Sequence, residues 1–199
     1  DCEASKAWDD YVSKYSEEDD MQRSKEKKVV AACVASLGDE NDSVREIAFD
    51  CVSDLADLVA DPKATLELTI TKVATETSDG VRSSMFRALR SLDPTKHGLA
   101  PKILELAKPM VDDKSGKTPL SSFVDALAPS TRGVEAAPES VAFAIELIEK
   151  DRATKDAVRV LVTTKAKAKE ACEALAKLVE SKGHSWGAGV DGMGRIEGN

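Results

Sequence analysis

Two stretches of the chain, residues 42–55 (DSVREIAFDCVSDL) and 79–92 (DGVRSSMFRALRSL), carry Asp, Val, Arg, Phe and Leu at matching places, 37 residues apart (79 − 42). The pairs are Asp42/Asp79, Val44/Val81, Arg45/Arg82, Phe49/Phe86 and Leu55/Leu92. A further step of the same length lands on Phe123 in TPLSSFVDAL, so three of the four Phe residues keep one register. Upstream, Val29, Leu66 and Ile103 align, as do Cys33, Ile70 and Ala107. A fourth copy, around DAVR at Asp156, is displaced by three residues from strict register. A period in this range describes a row of similar supersecondary units, none able to bury its apolar face alone, so that neighbours must stack.

Each unit reads as two helices. In the first, Val29, Val30, Cys33, Val34 and Leu37 follow i, i+3, i+4 spacing and form an apolar stripe. Gly38 stops that helix, and Asp42 or Ser43 caps the next, whose apolar face is expected to be Val44, Ile47, Ala48, Cys51, Val52 and Leu55. Asp61-Pro62 ends it and opens the following one, and Ser78-Asp79-Gly80, Asp93-Pro94, Thr118-Pro119 and Ala137-Pro138 mark later boundaries. The composition agrees: 42% hydrophobic but only 4% aromatic, with 32% charged residues, suits helices packed closely on helices through Ala, Val and Leu.

The junction LGDENDSVREIA, residues 37–48, resembles that of HEAT repeats: Leu closing one helix, Asp in the turn, then Val-Arg and Ala opening the next. SDGVRSSMFRAL is a partial copy, and the third unit has Thr118-Pro119 where the family has Val-Arg. The resemblance implies an all-α, right-handed superhelix, an α-solenoid of about four helical hairpins over residues 26–165. Helical caps are expected at 1–25 and 166–183, with a Gly-rich tail at 184–199. Trp8, Tyr11, Val12 and Tyr15 share one face of the first cap, and Ala171, Cys172, Leu175 and Leu178 one face of the last.

HEAT-like arrays are mostly interaction scaffolds, so the resemblance implies a non-catalytic adaptor that binds another protein along its concave surface. The second helices are expected to line that surface. The candidate partner-binding residues are then Glu46, Asp50, Asp54 and Asp57, an acidic row on the first, Arg87 and Arg90 on the second, and Leu120 and Val124 on the third. Asp50 and Arg87, one period apart, are expected to form an ion pair between neighbouring helices. The rival class is an enzyme or ligand carrier using the groove, for which the family's DNA-repair glycosylases are the model. A formal charge of −8 disfavours it, because nucleic-acid affinity comes from Lys and Arg on phosphates.

Other chemistry finds little support. GAGVDGMG, residues 187–194, matches G-x-G-x-x-G, but a helix precedes it and five residues follow, leaving no room for the strand and helix that a dinucleotide site needs. VDDKSGKT, residues 111–118, has Val111 where a phosphate loop has its first Gly. His97 and His184 lack metal-ligand spacing to each other or to any Cys. No cofactor, metal or catalytic residue is therefore assigned. No apolar run of 18 residues exists to span a bilayer. Cys2 reads either as a lipid-anchor cysteine, which would make this an exported, periplasmic or membrane-anchored protein, or as an ordinary thiol of a cytoplasmic one; both stay open. A monomer is expected, and Cys33 and Cys51, facing each other across one hairpin, are either buried thiols or a disulfide.

Overall fold

The computed structural model describes residues 22–113 and 118–182. The first cap with its aromatic face, Cys2, His184, the Gly-rich tail and the middle of the 111–118 stretch lie outside them. Among the described residues the chain is all helical: α1 (residues 22–35), α2 (Asp42–Asp54), α3 (Pro62–Val73), α4 (Asp79–Leu92), α5 (Ala100–Ala107), α6 (Leu120–Leu127), α7 (Pro138–Glu149), α8 (Thr154–Leu161) and α9 (Ala168–Lys182). The nine helices lie side by side. α2 packs on α4, α4 on α6 and α6 on α8, while α3 packs on α4, α5 on α6, and α7 on both α8 and α9.

Local chemistry sets the boundaries. The cap of α2 is Asn41, one residue ahead of the expected Asp42 or Ser43; its side chain accepts from the Ser43 amide. One period on, Ser78 occupies the same place before α4. Asp61 caps α3 by accepting from the Ala64 amide, with Pro62 in the first turn, where a missing N–H costs nothing. α6 starts at Leu120, with Pro119 in the capping place. The two buried threonines of α3 satisfy their hydroxyls inside the helix: Thr65 donates to the Asp61 carbonyl and Thr69 to the Thr65 carbonyl.

One continuous apolar core runs from Val30 in α1 to Leu178 in α9. Phe49 and Phe123 are fully buried, whereas Phe86 is half-buried and meets Phe123 edge-on, with ring centroids 4.9 Å apart and planes at 88°. Ala171, Leu175 and Leu178 anchor α9, with Cys172 at the edge of the contact. The first unit departs from expectation. Val29, Val44 and Ile47, read as core, are 53%, 38% and 67% exposed.

Carboxylates tie the loops together. Asp93, 2% exposed and in the left-handed region (φ 58°), ends α4. It accepts from the Lys96 amide of its own loop and from the Ser130 and Thr131 amides of the loop after α6. Glu135 does the same one step on, accepting from the Lys165 and Ala166 amides before α9. At the opposite ends of the helices, Arg45 of α2 grips Glu76 through Nε and Nη2 at 3.1 and 3.0 Å and donates to the Asp39 and Glu40 carbonyls. Glu76 also accepts from the Thr77 and Ser78 amides. Burial alone would push the Glu76 carboxyl up, but the Ser78 amide, Arg45 and the Thr77 amide outweigh it and hold it below its usual value.

Candidate partner-binding surface

Because α2, α4, α6 and α8 pack in sequence, their outward sides form one surface. The acids and arginines on it alternate from helix to helix. Asp50 of α2 accepts from Arg87 Nη2 at 2.5 Å, and the same nitrogen donates to Ser84 Oγ at 3.1 Å. The expected ion pair between these neighbouring helices is present. It lies in the open: the Arg87 and Asp50 side chains are 55% and 35% exposed. Ser53 and Ser91 pair their hydroxyls at 3.0 Å beside it. Further along, Asp125 of α6 receives Arg159 of α8 in a direct hydrogen bond and Arg90 of α4 at 3.6 Å. Asp156 of α8 lies next to this pair. Burial raises its carboxyl above the usual range and the charge of Asp125 adds to the effect, against a hydrogen bond from Ser121 and the charge of Arg159.

Between the two ion-pair groups is a shallow depression of 220 Å³ lined by Ser83, Phe86, Arg87, Arg90, Ser122 and Asp125. The half-buried Phe86 is its one aromatic lining residue. Packing sets this arrangement. Phe86 is fixed edge-on by Phe123, and Arg87 and Arg90 are held to either side by carboxylates on two different neighbours.

The candidates from the sequence divide clearly. Asp50, Arg87 and Arg90 are on this surface. Glu46 is half-buried at the start of α4, so close that a Cβ on Gly80 would come within 2.8 Å of its Oε2, where a carboxylate favours the helix N-terminus. Asp54 is exposed at the end of α2. Asp57 is not in that row at all: it lies on a 3-10 turn, Ala56–Leu58, 3.8 Å from Arg23 of α1.

Leu120 and Val124 are corrections. They are 4% and 0% exposed and belong to the core. The cause is a change of register. Four of the five buried residues of α6, Leu120, Phe123, Val124 and Leu127, repeat the buried Val81, Ser84, Met85 and Ala88 of α4 at an offset of 39 (120 − 81), two more than the period of the first units; the fifth, Ala126, falls on the exposed Arg87. Counting by 37 set Leu120 and Val124 against the outward Ser83 and Arg87, and hid Asp125 against the buried Ala88. Asp125 was missed for this reason, although the apolar spacing within LSSFVDAL carries the signal; Arg159 lies on α8, in the looser copy around Asp156 from which no candidate was drawn.

Among the described residues no group of three or more His, Cys, Asp or Glu side chains is placed to hold a metal ion, and no helix is long and apolar enough to cross a membrane. Cys33 and Cys51 are free thiols that touch. Burial and the hydrogen bond with Cys33 push Cys51 up to about 12. No protein-family model, curated protein or solved structure matches the chain.

Proposed function

We propose that the chain is a HEAT-like, right-handed helical solenoid whose α2–α4–α6–α8 surface binds another protein without catalysis. The observation that carries the reading is the depression around Phe86. A partly exposed aromatic flanked by two arginines combines the residue types that most often anchor protein interfaces. The loop-to-loop clamps of Asp93 and Glu135, recurring from unit to unit, support the solenoid part of the reading. The mixed charge of the surface favours a protein over a uniformly anionic polymer as partner, since each arginine on it already faces an acid. Such a scaffold takes its rigidity from the clamped loops and its specificity from the order of charges along the surface.

The test is affinity capture from the native source with the wild-type chain, with Phe86→Asp and Arg90→Glu, and with Lys102→Glu, which removes an exposed α5 lysine that pairs with Glu67 away from this surface. Partners lost with the first two variants and kept with the third support the proposal. Partners retained by all three would overturn it.

A further inference from the structure

Between α7 and α9 runs a groove of 620 Å³, and none of its lining residues belongs to α2, α4, α6 or α8. On α9 the lining keeps i, i+3, i+4, i+7 spacing from Glu170 to Ser181, one helical face roughly 16 Å long. Its apolar members are Ala174 and Leu178 on that face, and Ile145 and Ile148 on α7. Ala171 and Leu175 of α9 are taken up by the core at 0% exposure, and the small Ala174 leaves Ile145 and Ile148 half-buried. The charged members, all exposed, are Glu149, Asp151, Glu170, Glu173 and Lys177, a net charge of −3 (1 − 4). Glu170 is paired with Lys167 at 3.0 Å. Among the described residues Glu149 and Glu173 have no ion-pair partner. The arginines of the α2–α4–α6–α8 surface differ in this respect, since each meets an acid of a neighbouring helix.

We infer that this groove takes a basic amphipathic helix of another protein. Two helices side by side leave a trough that a third helix fills, with its apolar stripe on Ile145, Ile148, Ala174 and Leu178. Lys or Arg beside that stripe meets Glu149 of α7 on one side and Glu173 of α9 on the other. Neither acid has to leave an internal partner first. The same carboxylates repel an acidic helix, a nucleic acid and an anionic membrane surface, so the charge of the groove selects among partners. Ion pairs at such exposure contribute little apiece, so the apolar contact carries the affinity and the acids carry the choice of partner.

The probe is a fluorescein-labelled peptide of about four helical turns, with leucine at i, i+3, i+4 and i+7 spacing and arginine elsewhere. It is titrated with the full-length chain and read by fluorescence anisotropy. Saturable binding is expected, and none for the same peptide with glutamate in place of arginine. Glu149→Lys and Glu173→Lys, both at exposed positions, are each expected to weaken binding about threefold to tenfold. Ile148→Ser is expected to weaken it roughly tenfold. Glu40→Lys makes the same change of net charge in the turn between α1 and α2, and is expected to stay within about twofold of wild type. No saturable binding by wild type, or a loss in Glu40→Lys equal to that in Glu173→Lys, would overturn the inference. So would a wild-type dimer in light scattering that Ile148→Ser dissociates, which would assign the groove to a second copy. A shift of Trp186 emission on Ile148→Ser, in a Trp8→Phe background without peptide, would assign it to the chain's own last residues and overturn the inference equally.

Discussion

Alanine substitution of the three phenylalanines that share the sequence register should cost unequal amounts, because the structure gives them unequal surroundings. Phe49 and Phe123 have no solvent-accessible edge to speak of, so each truncation removes a buried ring and leaves a cavity, at about 3–5 kcal/mol. Phe86 already has one edge in water beside Ser83 and Arg90, so part of its transfer free energy is never gained in the folded state. Phe86→Ala should therefore cost less, roughly 2–3 kcal/mol. The edge-on contact at 4.9 Å adds a coupling term. Such pairs contribute about 0.5–1.5 kcal/mol beyond their area, and the double variant should be less destabilised than the sum of the singles by that amount. Urea unfolding at constant m-value gives the free energies. For a chain of this size Phe123→Ala should also lower Tm by about 6–20 °C. Phe86→Ala matching Phe123→Ala, or a cycle that closes within about 0.3 kcal/mol, would refute the reasoning.

Asp93→Ala removes the buried carboxylate that accepts from three backbone amides and leaves alanine at positive φ, so a loss of about 3 kcal/mol or more is expected in urea unfolding; Asp93→Asn, tolerant of that backbone and able to keep one acceptor, should lose less. Because the Glu76 carboxyl is held below its ordinary value near 4.5, its contribution to stability is present above that pH and is lost as pH falls through the folded-state value; Glu76→Gln should flatten the acid limb of a Tm-against-pH curve. Asp50→Ala should change stability by only about 0.2–1 kcal/mol, an effect that shrinks in high salt, since the pair with Arg87 is exposed. With its thiol pushed up to about 12, Cys51 should be alkylated near neutral pH more slowly in the folded chain than in the denatured one, as read by peptide mass spectrometry; equal rates would contradict its burial against Cys33.

The first two units were open to a reader of the sequence because their caps, turns and arginines repeat locally. Asn41 and Ser78 stand in the same place, as do the Asp42–Arg45 and Asp79–Arg82 pairs on the first turns of α2 and α4. Three things were hidden. The two-residue slip falls between α5 and α6, outside the apolar pattern of either helix, and it rotates every residue of α6 by more than half a turn relative to the count by 37. The clamp of Asp93 joins residues 37 and 38 apart that share no pattern, so an acid before a proline reads only as a boundary. The exposure of Val44 and Ile47 depends on what lies beside α2, and helical periodicity describes a face without describing its neighbour.

The charged groups of the molecule fall into two kinds, and the difference bears on binding. Glu76, Asp93 and Glu135 accept from backbone amides of fixed loops, so removing any of them leaves N–H groups without partners and disturbs the spacing of the units. Asp50 holds Arg87, and Asp125 holds Arg90, through side chains that are about a quarter to a half exposed. Exchanging such a pair for an equivalent pair across an interface costs little, because the pair itself is worth only about 0–1 kcal/mol in water. On the function proposed above, a partner carrying a carboxylate beside an apolar side chain would take Arg87 or Arg90 from its internal acid while covering the exposed part of Phe86. The apolar contact would supply the free energy of binding, and the exchange of ion pairs would set the register in which the partner lies along α2, α4, α6 and α8.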